Sequence, residues 1–196
     1  MLIRRLCVLF MVLATAGCVA AVGPDSTSGE HARIDIGGGV GLTLPARPSY
    51  PSEAHFSQLI TTSRDGQVNR VQAELDMSAD SVTAVFSLPG GPPALSIHWT
   101  EAGMEIKRET AIPVALDARR ILADVFLTYW PVAIIQEHLS DAAQIAQVGR
   151  RRLVRSTART IVDISFEGTE DRKKIVLHNL AQGYRLAIVS RLAVSH

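Results

Sequence analysis

The side chains that could carry acid, base or nucleophilic chemistry are scattered along this chain rather than gathered in a known catalytic motif. Asp124 follows Arg120 by one helical turn, a spacing typical of an ion pair on a helix face. Only two residues separate His138 from Asp141, which is short of the His-x4-Asp pattern of acyltransferases. None of the six histidines pairs with a carboxylate at metal-ligand spacing. The sequence therefore predicts no catalytic residue, no metal site and no cofactor.

Cys18 is the residue whose surroundings indicate a covalent modification. Arg4 and Arg5 precede an apolar run, residues 6–16, that is too short for a permanent membrane span and has the charge order of a secretory signal. Residues 13–18 read Leu-Ala-Thr-Ala-Gly-Cys and resemble the lipobox of bacterial lipoproteins. That resemblance implies cleavage after residue 17 and a lipid anchor on Cys18; the alternative is an ordinary signal peptide with a chance cysteine.

The residues around this cysteine also predict where the protein works. Val19 stands where an aspartate would mark inner-membrane retention, so the resemblance favours a periplasm-facing protein anchored to the outer membrane. Residues 18–30 are predicted to form a lipidated tether, and residues 31–196 a single domain. The chain has 20 basic and 19 acidic residues, and this balance gives no case for a nucleic-acid partner.

Alternating apolar and polar side chains predict a mainly antiparallel β domain. Apolar side chains recur at every second position in residues 71–77, 82–86, 95–99 and 104–106, with short turns between them. Residues 88–93 are interpreted as one such tight turn, the alternative being a protruding loop that touches a membrane. Further strands are expected near residues 40–44, 145–154, 160–166, 173–180 and 184–192.

The middle of the chain changes to a helical period. Asp117 is a suitable N-cap, so we expect one helix over residues 118–129, ending before Pro131, and a second over residues 132–139. The first helix is apolar around most of its circumference, apart from a polar line of Arg120, Asp124 and Thr128, and should be buried on several sides. The expected fold is therefore α+β, a curved antiparallel sheet wrapped around an internal helical insert.

Four short segments carry a resemblance to a known family: Ile112-Pro113, residues 118–125 (Ala-Arg-Arg-Ile-Leu-Ala-Asp-Val), residues 129–131 (Tyr-Trp-Pro) and residues 183–186 (Gly-Tyr-Arg-Leu). From about residue 88 onward the chain resembles an uncharacterised family of Gram-negative envelope lipoproteins associated with aryl polyene gene clusters. That family is similar in architecture to the lipoprotein receptor LolB and its carrier LolA, in which a half-barrel with a helical lid encloses a hydrophobic cavity. The resemblance implies a half-barrel and a lipid-handling role, with aryl polyene lipid export as one setting.

The site candidates follow from these expectations. Residues proposed to line a ligand cavity are Trp99, Ile106, Leu122, Val125, Phe126, Tyr129, Trp130 and Ile134. The same residues could form a filled core, and the sequence leaves both alternatives open. Tyr184 and Arg185 are candidates to hold a ligand headgroup. The basic run is interpreted as a solvated face, the alternative being contact with anionic headgroups; it comprises Arg150, Arg151, Arg152, Arg155 and Arg159.

Two functions of different classes fit these features. The favoured one is a membrane-anchored lipoprotein that binds or accepts a hydrophobic lipid or lipidated cargo, together with other envelope transport proteins. The alternative is a structural or accessory lipoprotein of an envelope assembly that has no ligand cavity. A third, an esterase or acyltransferase, would require a Ser or Asp beside a His in a cleft.

Overall fold

The computed structural model describes residues 33–108, 117–157, 159–169 and 171–193. Cys18, the predicted signal and tether, and the Ile112-Pro113 segment lie outside these ranges. The elements, in chain order, are β1 (Arg33–Gly37), β2 (Val40–Thr43), β3 (Ala54–Arg64), β4 (Gln67–Met77), β5 (Ser81–Ser87), β6 (Pro93–Thr100), β7 (Gly103–Arg108), α1 (Ala118–Tyr129), α2 (Val132–His138), β8 (Ala143–Val148), β9 (Arg151–Ser156), β10 (Arg159–Gly168), β11 (Arg172–Asn179) and β12 (Tyr184–Leu192).

Ten of the strands form one curved, unclosed antiparallel sheet in the order β7-β6-β5-β4-β3-β12-β11-β10-β9-β8. The sheet consists of two consecutive meanders, β3 to β7 and β8 to β12, which meet where β3 pairs with β12. Both helices lie in the chain between β7 and β8, the two outer strands of the sheet. This arrangement confirms the expected α+β half-barrel around a helical insert.

Helix α1 has the ends that its sequence predicts. The Asp117 side chain accepts hydrogen bonds from the backbone N–H groups of Arg119 and Arg120, at 3.0 and 3.4 Å. At the other end Trp130 is extended, with φ −75° and ψ 154°, because Pro131 disfavours helical geometry in the residue before it. The Trp130 indole donates to the carbonyl oxygen of Pro48 at 2.8 Å, which fixes the helix end against the loop before β3.

The last carbonyl groups of α1 are satisfied by a charged side chain from β9. Arg152 Nη1 donates to the carbonyl oxygens of Leu127, Thr128 and Trp130, at 2.7, 3.1 and 3.0 Å. Its Nε and Nη2 donate to Gln147 Oε1. Burial lowers the pKa of this guanidinium, which remains a cation at the negative end of the helix dipole. Arg152 therefore ties the helix to the sheet.

The basic run and the strand predicted around it need correction. Residues 145–154 form two strands, β8 and β9, rather than one, because Gly149 at φ +56° allows a two-residue turn between them. Arg151 points outward and pairs with Asp163, whereas Arg152 on the next position points inward. The interpretation of all five arginines as a solvated face is thus wrong for Arg152.

Two strands in the first third of the chain were not predicted. In β3 the side chains of Phe56, Gln58 and Ile60 are buried, whereas Leu59 is 42% exposed, so a polar residue faces in and an apolar residue faces out. This exchange hides the alternation of apolar and polar residues by which a strand is predicted from sequence. The other missed strand is β1, which pairs with β2 in a separate two-stranded sheet.

The β1–β2 hairpin packs next to the helices, at the edge of the sheet where β10 begins and β11 ends. Ile36, Val40 and Leu42 are fully buried, and Asn179 Nδ2 donates to the Ile36 carbonyl oxygen at 3.0 Å. Gly37 has φ +101°, and a Cβ there would lie 2.6 Å from the Cβ of Ala181, so only glycine fits. The glycines at 37–39 thus serve a tight hairpin.

Candidate functional site

A cavity of about 370 Å³ lies between α1 and the strands at the centre of the sheet. Strands β3, β4, β5 and β12 supply one wall, and its inner side chains are Gln58, Ile60, Val71, Ala73, Leu75, Ala84, Phe86, Leu186 and Ile188. Helix α1 supplies the other wall through residues at i, i+4 spacing, which are Ile121, Val125 and Tyr129 beside Arg120, Asp124 and Thr128. The cavity thus meets α1 along its polar line and the apolar line beside it.

The room for this cavity comes from small side chains in neighbouring strands. Ala73 on β4 and Ala84 on β5 both line it, and each stands opposite a large partner, Phe86 and Leu75 respectively. A larger residue at either alanine would extend into the space. The buried part of the strand wall is apolar apart from Gln58, whereas Thr62, Ser63 and Asn69 add polar groups toward the β3–β4 turn.

The opening of the cavity is polar. Arg64, Asp65 and Gln67 at the β3–β4 turn are exposed and line it, as does Gln182 just before β12. In the sheet register Tyr184 stands opposite Arg64, so the Tyr184 ring lies at the level of this opening. An apolar interior below a polar rim is the arrangement expected for an amphipathic ligand.

Three side chains at this level form a hydrogen-bonded cluster. The Tyr184 hydroxyl donates to the Asp124 carboxylate, with Oδ1 and Oδ2 at 2.8 and 2.9 Å, and accepts from Arg120 Nε at 2.8 Å. Arg120 Nε lies 3.8 Å from Asp124 Oδ1, which is the ion pair expected from their spacing. Arg120 Nη1 donates to the backbone oxygen of Asp35, which joins α1 to β1.

The cluster shifts the protonation equilibria of its members. Burial raises the pKa of Asp124 from 3.8 to about 6, although the Arg120 charge and the Tyr184 hydrogen bond both act to lower it. Burial and the neighbouring Asp124 charge raise the pKa of Tyr184, so its hydroxyl keeps its proton. Tyr184 is therefore a permanent donor, and Asp124 is the group that titrates near neutral pH.

A second cavity of about 430 Å³ lies at the other end of α1. Its walls include Phe56, Phe166 and Ile175, and its rim carries Arg150 and Lys173. Thr128 and Tyr129 line both cavities, so their side chains form the partition between the two. The Tyr129 ring is held in this position because it stacks on Phe56 with 5.2 Å between ring centroids, and Gln58 Nε2 donates to its hydroxyl at 2.6 Å.

The family described as a protein of unknown function (DUF3261) matches residues 55–191, more than two thirds of the chain. The chain belongs to the DUF3261 family. No curated protein matches it. All residues that line the first cavity fall within the DUF3261 match, whereas the β1–β2 hairpin that contacts Arg120 lies before it.

The eight residues predicted to line the cavity fall into two groups in the structure of this DUF3261 protein. Val125 and Tyr129 line the cavity. The other six lie away from its wall: Trp99, Leu122, Phe126 and Trp130 are buried in the core, and Ile106 and Ile134 are partly buried against it. Tilted ring contacts hold this part of the core together, with the Trp130 centroid 5.1 Å from that of Phe126 and 6.1 Å from that of Trp99. For these six residues the filled-core alternative describes their position.

The two residues predicted to hold a ligand headgroup lie on opposite faces of the sheet. Tyr184 lines the cavity, whereas Arg185, the next residue on β12, is exposed on the opposite face of the sheet. Consecutive residues of a strand point to opposite faces, so the two side chains cannot hold one ligand. The guanidinium that donates a hydrogen bond to Tyr184 belongs to Arg120. From the sequence, Arg120 was predicted only to form an ion pair with Asp124.

The described part of the DUF3261 chain has neither a metal-binding cluster nor a membrane-spanning helix. Within it, no group of three or more His, Cys, Asp or Glu side chains is placed to hold a metal ion. Neither α1 nor α2 has the length and apolar character needed to cross a bilayer.

The raised pKa of Asp124 predicts a pH dependence of stability. Between about pH 4 and pH 6 the folded protein holds a proton on Asp124 that the unfolded chain has lost, so the free energy of unfolding falls as the pH rises. In the variant Asp124→Asn this contribution is absent, while the oxygen that accepts from Tyr184 is kept.

Urea unfolding of both proteins from pH 4 to pH 8 measures this effect. The stability of the wild type relative to Asp124→Asn should decrease by about 2 kcal/mol from pH 4 to pH 7, and then stay constant. The subtraction removes the contributions of other titrating groups. A difference that is the same at pH 4 and pH 7 would contradict the assignment.

Proposed function

We propose that this protein binds one hydrophobic chain in the cavity between α1 and the sheet, and that it acts as a membrane-anchored acceptor or carrier of lipid in the cell envelope. The observation that carries the proposal is a cavity of about 370 Å³ whose walls are mostly apolar and whose opening is polar. Such a space suits an amphipathic ligand whose chain enters first and whose head stays at the rim.

The size of the cavity fits a single acyl-like chain. A water molecule occupies about 30 Å³ in the liquid, and a methylene group is similar in size, so the cavity holds roughly twelve such groups. Burial of each methylene contributes about 0.8 kcal/mol, which is about 10 kcal/mol for a full cavity before the costs of binding are subtracted. With costs of at least about 4 kcal/mol subtracted, burial leaves up to about 6 kcal/mol, which corresponds to a Kd of roughly tens of micromolar.

Binding is proposed rather than catalysis because of the chemistry of the lining residues. In the described part of the chain, no histidine lines the cavity, so the Ser63 hydroxyl there has no imidazole base among these residues. Asp124 is engaged by Tyr184 and Arg120, which is an arrangement that holds a structure rather than one that attacks a substrate. An esterase or acyltransferase is therefore the weaker hypothesis.

The cellular setting is proposed from the sequence alone. The lipobox-like segment before Cys18 supports an anchor on the outer membrane, and the family resemblance supports a place in lipid export, with aryl polyene lipids as one cargo. Its partners would be the membrane, the hydrophobic cargo, and other envelope proteins that deliver or receive it.

Lipid analysis of the purified protein tests the proposal. The full chain would be extracted from Gram-negative membranes in digitonin, whose rigid rings are too wide for a single-chain cavity, and its lipids analysed by mass spectrometry. The matched control is the double variant Ala73→Leu/Ala84→Leu, in which the cavity is partly filled. We expect one single-chain lipid in near-stoichiometric amount with the wild type and at least fivefold less with the variant. Equal amounts, or none with either protein, would refute the proposal and favour an accessory role.

A further inference from the structure

Arg120 carries a hydrogen-bond donor that the protein itself does not use. Among the described residues, its Nη2 is a buried side-chain atom without a hydrogen-bond partner. The other two nitrogens are engaged, Nε by the Tyr184 hydroxyl and Nη1 by the Asp35 backbone oxygen, so the guanidinium cannot turn to another acceptor without breaking them. A buried charged donor left unpaired is costly, and proteins rarely keep one without a reason.

The position of Arg120 relates this donor to the cavity. Arg120 lines the cavity in the first part of α1, beside Tyr184, which stands opposite Arg64 at the opening. Gln58 and Tyr129 lie at the far end, toward the second cavity. The head of a ligand that enters chain first would therefore rest at the level of Arg120.

The charges around this level decide what kind of head fits. Asp124 already balances the charge of Arg120, at 3.8 Å from Nε. Among the described residues, the other charged ones that line the cavity are Arg64, Asp65 and Asp117, so this lining has no excess of positive charge to hold an anion. An uncharged oxygen of a ligand can accept the hydrogen bond that Arg120 Nη2 does not make within the protein.

We infer that the cavity selects single-chain lipids whose head presents an uncharged carbonyl or hydroxyl oxygen, which accepts a hydrogen bond from Arg120 Nη2. Fatty carboxylates and cationic amphiphiles with the same chain are bound more weakly. This inference rests on the proposed function, because it assigns the head of a ligand whose chain fills the cavity. It distinguishes an ester, amide or alcohol head from a charged one.

A series of probes with one ten-carbon chain tests the preference. Methyl decanoate, 1-decanol, decanoate and decyltrimethylammonium would compete at pH 8 with N-phenyl-1-naphthylamine, an uncharged hydrophobic dye, for the full chain in digitonin. The ester and the alcohol should displace the dye at concentrations at least tenfold lower than the two charged probes. Decanoate as the tightest competitor, or four equal competitors, would overturn the inference.

Variants of Arg120 test the residue itself. Arg120→Met removes the donor and keeps an apolar stem, and we expect about tenfold weaker binding of methyl decanoate with dye affinity unchanged within twofold. Tyr184→Phe removes the hydroxyl that orients the guanidinium but leaves the Asp35 contact. It should weaken the binding of methyl decanoate by about threefold. The matched control, Arg185→Met on the opposite face of β12, should leave ester binding within twofold of the wild type.

The outcomes separate the two levels of the proposal. If the wild type binds no dye and no probe, the proposed function itself fails, and the inference with it. If the dye binds but folded Arg120→Met and Tyr184→Phe both bind the ester as tightly as the wild type, only the role of Arg120 is refuted. Circular dichroism melting of each variant establishes that it is folded before its binding is measured.

Discussion

Replacing Arg152 by methionine is expected to destabilise the domain by about 3 kcal/mol or more, because three carbonyl oxygens at the end of α1 lose a charged donor at once. Arg152 is 8% exposed, and Leu127, Thr128 and Trp130 are buried as well, so these oxygens lie where an unpaired polar group is costly. Methionine keeps the apolar stem but supplies no hydrogen bond. The midpoint of urea unfolding, measured by far-ultraviolet circular dichroism, gives the change in stability.

Arg151 provides the matched control for this substitution. It is the neighbouring arginine of β9, but it is exposed and pairs with Asp163 on the surface. Surface ion pairs contribute about 0 to 1 kcal/mol, so Arg151→Met should change the stability by less than 1 kcal/mol. If the two variants are equally stable, Arg152 does not hold α1 against the sheet as described.

Filling the cavity is the second change with a large expected effect. The double variant Ala73→Leu/Ala84→Leu adds six carbon atoms, about 180 Å³ at roughly 30 Å³ for each group, which is close to half of the space. We expect at least thirtyfold weaker binding of N-phenyl-1-naphthylamine, because the chain of a ligand and the new side chains cannot occupy the same volume. Overpacking costs of typically 1–3 kcal/mol should be small here, since the leucines extend into an existing void.

An alanine on the other face of the sheet serves as the control. Ala187 of β12 stands between Leu186 and Ile188, which both line the cavity, and is itself absent from the lining. Ala187→Leu should therefore leave dye binding within twofold of the wild type. Strong dye binding by the folded double variant would show that the dye binds elsewhere and would remove the support for a ligand in this cavity.

Local signals explain which elements could be predicted from the sequence. The bounds of α1 follow from Asp117 and Pro131, two residues whose effects act within one turn of the helix. Strands β4 to β6 have clean alternation, because one of their faces is buried along most of their length. The β8–β9 turn was missed because Gly149 is followed by three arginines that do not otherwise indicate a turn.

The cavity wall could be predicted only in part. Leu122, Val125, Phe126 and Tyr129 all belong to one apolar helix, and only packing against distant strands decides which face meets a void. A usable signal was nevertheless present. The polar line that begins at Arg120 marks the side of α1 that borders the cavity, because buried polar groups need space or partners that a packed core does not offer.

The pairing of β3 with β12 has a consequence for how the protein is assembled. Gln58 and Ser190, neighbours across this junction, are 132 residues apart in the chain, and side chains of both strands line the cavity. Each meander can form from local hairpins, whereas this contact requires the early and late parts of the domain to meet. The cavity is therefore complete only once the two meanders have met, and an occupant that contacts both would slow their separation.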